Sequence, residues 1–160
     1  MERNKKIKFK HLVLDVDGVF TTGSFLYTVD GKFAKIFGPH DNDGIKMIRE
    51  KINVQAISAD KRGFEITKKR ILDDMKIPLT LISEEERLDW FLKNFNNLDE
   101  VIYVGDGIHD AKIFEHVGYS IAPNNAFYLA KEKAKYITKS NSGEGAVAEA
   151  CLHIIEKLLK

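Results

Sequence analysis

The chain has 160 residues, of which 44% are apolar, with 25 basic and 24 acidic side chains and a formal net charge of +1. This length and composition fit one globular domain with a sizeable core, which we predict over residues 1–160. The nearly balanced charge provides no global field for nucleic acid or an anionic membrane, so we expect neither as a partner.

The sequence predicts a cytoplasmic protein. Its polar, lysine-rich start over residues 1–10 is not followed by the apolar segment of a secretory signal. No stretch approaches the roughly 18 uninterrupted apolar residues of a membrane span. The single cysteine, Cys151, cannot form an internal disulfide, and its apolar neighbours indicate the buried face of a helix.

The first predicted strand ends in an acidic pair. Within residues 11–19, the apolar run Leu12-Val13-Leu14 leads into Asp15, Asp17 and Gly18. Such a run is typical of a buried parallel strand, and α/β sheets bind ligands at the C-terminal edge of their strands. Two carboxylates about 4 Å apart repel by about 4 kcal/mol at an effective dielectric of about 20. The pair therefore needs a bound cation or a shared proton, which suggests a Mg²⁺ site, although Asp and Gly also form ordinary turns.

A β-hairpin is predicted next. Strands at 24–28 and 32–37 flank the turn Val29-Asp30-Gly31, and both carry large apolar side chains. An isolated two-stranded ribbon is only marginally stable in water. The hairpin therefore packs against its own domain or against another chain.

Beyond the hairpin we predict a helix, a strand and a second helix. Asp41 or Asn42 can cap the first helix, and the N-terminus of that helix could face a phosphate. The strand covers residues 53–58 and ends in Ser58, and the second helix runs over about 63–75. Serine at a strand end is usually only a helix cap.

The next predicted strand, at 79–82, is short. It leads to Ser83-Glu84-Glu85-Glu86, a sequence typical of a capping box, and to a helix that carries Arg87 near its start. Arg87 is either a site cation or a solvated helix charge.

A second acidic cluster follows the strand at 101–104. Asp106 and Asp110 come directly after this apolar run, in the same arrangement as the first pair. We expect the nearby His109 to be structural or to line the rim rather than to bind a metal. The remaining predicted elements are an amphipathic helix through Val117, a strand at 118–123, a helix capped by Asn125, an edge strand at 135–138 and a terminal helix after Gly145.

The two acidic segments resemble the first and fourth motifs of the haloacid dehalogenase (HAD) superfamily. Over residues 12–155 the chain is similar to the small, capless branch that contains 3-deoxy-D-manno-octulosonate 8-phosphate and nonulosonate 9-phosphate phosphatases. The same module occurs as the C-terminal domain of some acylneuraminate cytidylyltransferases. The resemblance implies an α/β fold, with a Rossmann-like core, a parallel central sheet, a projecting β-hairpin and no cap domain. It also implies a homotetramer in which hairpins pack together and neighbouring subunits help to close the site.

The function that this resemblance implies is a Mg²⁺-dependent phosphatase acting on a small phosphorylated sugar acid, in lipopolysaccharide or sialic acid biosynthesis. Asp15 would be the nucleophile that forms an aspartyl-phosphate, and Asp17 would be the general acid and base. Three residues would bind the substrate: Ser58, Lys61 and Arg87, of which Ser58 and Arg87 hold phosphoryl oxygens. The implied metal-binding residues are Asp15, Asp17 (through its backbone carbonyl), Asp106 and Asp110.

Four departures from the family's usual sequence leave a second hypothesis open. They are Arg87 in place of a lysine, Ala59-Asp60 after Ser58, Gly107 in the acidic run and Glu144 in the terminal loop. The alternative is a catalytically weak HAD module with an assembly or regulatory role linked to acylneuraminate cytidylyltransferase. A phosphoacceptor receiver domain is a further alternative, but there the acceptor aspartate usually ends an internal strand, whereas here the acidic pair ends the first.

Overall fold

A six-stranded parallel sheet lies at the centre of the computed structural model, which describes residues 8–160. Residues 1–7 of the domain predicted over 1–160 lie outside the described residues. The strands of this sheet are β1 His11–Asp15, β4 Asn53–Ser58, β5 Leu79–Leu81, β6 Val101–Val104, β7 Tyr119–Ala122 and β8 Tyr136–Ile137, and the separate hairpin consists of β2 Thr21–Thr28 and β3 Gly31–Phe37. The sheet order is β5-β4-β1-β6-β7-β8, with every neighbouring pair parallel. The predicted α/β class with a parallel central sheet and a projecting hairpin is confirmed.

Helices cover both faces of the sheet. They are α1 His40–Ile48, α2 Phe64–Lys68, α3 Arg87–Asn94, α4 Ile108–Phe114, α5 Tyr128–Lys133 and α6 Ala146–His153, and α2 and α6 continue as π-helical turns over Lys69–Asp74 and Ile154–Leu158. Side chains of β1 alternate between two cores. Leu12 and Leu14 pack with α1 and α6, whereas Val13 packs with α3 and α4. Within residues 8–160, none of the helices is long and apolar enough to cross a membrane.

The position of β1 determines where the site forms. The sheet continues from β1 to β4 on one side and to β6 on the other, so the order of the strands reverses at β1. In α/β sheets, ligands bind beyond the carboxyl ends of the strands at such a reversal. Because β1 and β6 end in the two acidic clusters, these clusters meet at one edge of the sheet.

The hairpin has two different sides. Lys35 in β3 is buried against the domain, while apolar side chains such as Phe33, which is 67% exposed, face outward. The sequence left open whether the hairpin packs on its own domain or on another chain. In this structure it contacts its own domain through lysines and leaves an apolar surface uncovered.

Two predicted helix caps are wrong. Helix α1 begins at His40, and the side chain of Asp41 instead accepts a hydrogen bond from Ala148 N of α6 at 3.2 Å. Helix α5 begins at Tyr128, and Asn125 instead exchanges hydrogen bonds with Ser142. Both side chains join segments distant in sequence, which a local pattern does not reveal.

The predicted capping box forms only in part, because the Glu86 carboxylate binds the Ser83 hydroxyl rather than the Ser83 backbone N–H, and it lies within the turn that precedes α3. The Ser83 hydroxyl donates to Glu86 Oε2 at 2.8 Å and accepts from Glu86 N at 3.4 Å. Regular helix begins only at Arg87. This shorter helix places Arg87 at its first turn, directly at the edge of the sheet.

Candidate active site

Three carboxylates converge at the edge of the sheet. One oxygen each from Asp15, Asp106 and Asp110 can be chosen so that all three lie within 4.8 Å of one another. They line a cavity of about 530 Å³, together with the hairpin, the loop after β4 and residues 83–85. Asp15 ends β1, Asp106 follows β6, and Asp110 lies in the first turn of α4, so each reaches the cavity from a different element.

The backbone at this edge is shaped to bring the acidic segments together. Gly18 has φ +77°, and a Cβ atom there would overlap the Asp106 carboxylate. Asp110 Oδ2 accepts hydrogen bonds from Asp106 N and Gly107 N, both at 2.9 Å. The close approach of residue 18 to Asp106 requires a glycine. The two hydrogen bonds to Asp110 fix the turn that carries Asp106.

Arg87 is the cation of this cluster. Its side chain is 3% exposed, and its Nη1 lies 2.6 Å from Asp110 Oδ1 and 3.3 Å from Asp15 Oδ2. Nη1 also donates to the Tyr103 hydroxyl at 3.1 Å, and that hydroxyl donates to Asp110 Oδ1. The alternative that Arg87 is a solvated helix charge is therefore wrong. Tyr103 was missed in the sequence because an aromatic residue in a buried strand indicates only core.

The cluster holds more negative than positive charge. Burial raises the pKa of Asp15 well above its ordinary value. The Arg87 guanidinium lowers this pKa, whereas the carboxylates of Asp110 and Asp106 raise it further. Burial and the neighbouring Asp110 likewise raise the pKa of Asp106 to about 7. One guanidinium does not balance three carboxylates, so further positive charge would be bound favourably here.

Asp17 does not belong to this group of three. Its carboxylate lines the same cavity but is turned toward Lys35, whose Nζ donates to Oδ2 at 3.0 Å and lies 2.9 Å from Oδ1. The sequence therefore correctly places Asp15 and Asp17 at one site, but their carboxylates face different partners. Lys35 was missed, since a lysine in an exposed hairpin carries no distinguishing signal.

Two residues predicted to bind substrate are not brought onto the cavity surface. Ser58 is fully buried, and its Oγ accepts a hydrogen bond from Asp60 N at 3.2 Å. Lys61 is exposed, and neither residue lies among those that line the cavity. The loop after β4 instead presents Asp60, which Lys32 of the hairpin contacts at 2.6 Å.

His109 lines the cavity, and its side chain is 38% exposed. Its Nε2 is 3.3 Å from Glu84 Oε2. The pair connects the start of α4 with the loop before α3 across the cavity.

Comparison with known proteins gives consistent matches. Residues 88–151 match a family model described as haloacid dehalogenase-like hydrolase. The 3-deoxy-D-manno-octulosonate 8-phosphate phosphatase KdsC of Escherichia coli K12 is 31% identical over 150 residues, which cover 88% of this chain and 76% of that protein.

Solved structures of similar proteins share the fold along nearly the whole chain. The cobalt-bound deoxy-D-mannose-octulosonate 8-phosphate phosphatase YrbI of Haemophilus influenzae has a TM-score of 0.80 and 28% identity, with 96% of this chain and 91% of that chain covered. A probable YrbI family phosphatase of Pseudomonas syringae has a TM-score of 0.81 and 30% identity, with coverages of 94% and 87%.

Proposed function

The chain belongs to the haloacid dehalogenase-like hydrolases, in the branch of the 3-deoxy-D-manno-octulosonate 8-phosphate phosphatases, and from this premise we propose a Mg²⁺-dependent reaction through an aspartyl-phosphate. The protein is thus a phosphatase, and its relatives act on a phosphorylated sugar acid. We propose an ester of the octulosonate 8-phosphate or nonulosonate 9-phosphate type as substrate. The observation that carries the proposal is the buried Asp15 carboxylate, which lines the cavity within a group of three. Family membership excludes the receiver-domain alternative.

The carboxylate cluster fits a divalent cation. Asp110 is already satisfied by Arg87, Tyr103 and two backbone N–H groups, whereas burial raises the pKa of both Asp15 and Asp106. Oxygen ligands of this kind suit Mg²⁺. Asp15 and Asp106 would hold the ion with the Asp17 backbone carbonyl, and Asp110 would steady the shell. The cobalt-bound relative supports a metal at this site.

The proposed reaction has two steps. An Asp15 oxygen attacks phosphorus, the bond from phosphorus to the ester oxygen breaks, and Asp17 gives a proton to the leaving alkoxide. Water then loses a proton to Asp17 and attacks phosphorus, which frees phosphate and restores Asp15. The bound cation would offset the negative charge of the phosphoryl group and the nucleophile. Arg87 would hold Asp15 in place and add positive charge beside the phosphoryl oxygens.

A phosphate-release screen tests the proposed function. The panel contains octulosonate 8-phosphate, nonulosonate 9-phosphates, common hexose phosphates and p-nitrophenyl phosphate. We expect turnover with Mg²⁺, preference for a sugar-acid ester, and loss of activity in EDTA. Absence of turnover on every ester would instead favour the alternative, a catalytically weak module linked to acylneuraminate cytidylyltransferase.

Asp106→Asn is expected to raise the Mg²⁺ concentration needed for half-maximal activity by about 10- to 100-fold, because one of the two carboxylates proposed to hold the ion loses its charge. The measurement is a Mg²⁺ titration of phosphate release. Asp43→Asn, at an exposed position on α1, is the matched control and should titrate like the wild type. An unchanged titration in Asp106→Asn would remove this residue from the metal site.

We also expect a homotetramer assembled through the hairpin. Exposed apolar side chains such as Phe25, Tyr27 and Phe33 form an uncovered apolar surface that assembly would bury. Light scattering at micromolar concentration should give four times the chain mass, and Phe33→Glu should shift this toward smaller species. A monomeric wild-type protein under these conditions would contradict the prediction.

A further inference from the structure

Lys35 is a buried lysine that the proposed reaction does not use. Its side chain has no exposed area, although it belongs to the hairpin. Its Nζ donates to Asp17 and to Thr67 Oγ1, the latter at 2.7 Å, and lies 2.8 Å from Asp60 Oδ2. An ammonium group has three N–H donors, so these three residues satisfy it completely.

The surroundings of Lys35 are built to accept it. Gly63 faces the lysine stems, and a Cβ atom there would lie 2.8 Å from Lys35 Cε and 2.7 Å from Lys32 Cδ. Burying an ammonium is unfavourable unless it is paired, and ordering a long lysine side chain costs conformational entropy. Anchoring the hairpin does not by itself account for Lys35, because Lys32 already contacts Asp60 at 2.6 Å.

The contact that distinguishes Lys35 from Lys32 is the one to Asp17. The Asp17 side chain is 20% exposed and lines the cavity, yet its carboxylate lies apart from the three that could hold a metal. A free carboxylate two residues from Asp15 would be attracted to a cation bound there. The Lys35 ammonium, 2.9 Å from Asp17 Oδ1, attracts this carboxylate in the opposite sense.

We propose that Lys35 is a positioning residue, which acts through Asp17 to hold its carboxylate where it can exchange a proton with the ester oxygen. The inference rests on the proposed function, in which Asp17 is the general acid and base. It assigns to the hairpin a part in the chemistry of its own subunit. The hairpin thus has two sides: one carries exposed apolar side chains, and the other carries Lys35, which acts on the step in which the leaving group is protonated.

Leaving-group dependence tests this role. An alkyl phosphate needs a proton on its leaving oxygen, whereas p-nitrophenolate leaves without one. In Lys35→Met we expect kcat/KM for 3-deoxy-D-manno-octulosonate 8-phosphate to fall about 100-fold, the cost of a misplaced catalytic group. Glycerol 1-phosphate replaces this ester if the screen shows no turnover of it. The value for p-nitrophenyl phosphate should change by about threefold or less, which also shows that the variant is folded.

Three further variants define the control. Lys35→Arg keeps the charge and should restore much of the alkyl-ester activity. Lys32→Met removes a charge from the same strand without touching Asp17, so it should change both esters alike. If Lys35→Met does not fold, Thr67→Val removes one hydrogen bond from Nζ and should lower only the alkyl-ester value.

The outcomes are distinguishable. Equal losses on both esters in Lys35→Met, or in Thr67→Val where that variant replaces it, would show a merely structural role and overturn the proposal for Lys35. A loss of alkyl-ester activity alone in Lys32→Met would show that the positive charge of the hairpin matters rather than the contact to Asp17. That result would also overturn the proposal for Lys35. A wild-type protein that releases phosphate from no ester overturns the proposed function itself.

Discussion

Asp15→Asn is expected to lower phosphatase turnover by about 10⁴-fold or more, since the amide keeps the shape of the side chain but cannot attack phosphorus. The fold should persist, because an asparagine Oδ1 can still accept the hydrogen bond from Val16 N that Asp15 accepts at 2.9 Å. The measurement is phosphate release at saturating Mg²⁺. Incubation with substrate should also leave no acid-stable phosphate on the variant.

The stability of the same variant gives an independent check. Burial raises the pKa of Asp15, so the ionised carboxylate destabilises the metal-free fold and this cost grows as pH rises through the raised pKa. Asparagine has no such charge. In EDTA at pH 7, the unfolding temperature of Asp15→Asn should therefore be no lower than that of the wild type. Asp43→Asn serves as the control for both measurements. Turnover within about tenfold of the wild type would rule out Asp15 as nucleophile.

The sequence predicted the elements of the fold that depend on local patterns. Apolar runs such as 12–14 and 101–104 became central strands, because only a segment buried on both faces tolerates continuous apolar residues. Acidic residues directly after those runs met at one edge, since parallel strands present their carboxyl ends together. The positions of Asp15, Asp106 and Asp110 at the cavity followed from this geometry alone.

Other features depend on contacts between distant segments and were not predictable. Asp41 and Asn125 look like helix caps but bind residues more than 15 positions away. The orientation of Asp17 depends on Lys35, 18 residues later, in a hairpin whose docking no local pattern specifies. Among the departures from the family's usual sequence, Asp60 acquires two lysine partners from that hairpin.

The charge of Asp60 illustrates why such a departure is tolerated. Burial alone would raise its pKa, but hydrogen bonds from Lys32 and Lys35 outweigh burial and lower the pKa to about 2. The residue is therefore ionised at neutral pH and balanced by its neighbours. The two lysines of the hairpin thus balance the negative charge that this departure places beside the cavity.

Arg87→Ala is expected to lower kcat by about 100-fold or more, a typical cost of removing one preorganised charge stabiliser. It should also destabilise the metal-free protein by about 3–5 kcal/mol, because Asp15 and Asp110 lose their buried cation. Added Mg²⁺ should therefore raise the unfolding temperature of Arg87→Ala more than that of the wild type. Calorimetry with and without EDTA measures this difference.

Arg87→Lys should retain much of the activity or improve it. The three contacts to Asp15, Asp110 and Tyr103 all come from Nη1, so the site uses a point charge rather than a planar fork, and Nε is buried without a hydrogen-bond partner. A lysine ammonium can occupy such a point and has no group equivalent to that Nε. Lys93→Ala, at an exposed position on the same helix, controls for loss of charge. If Arg87→Ala turns over substrate like Lys93→Ala, the cation beside the phosphoryl group must come from another residue.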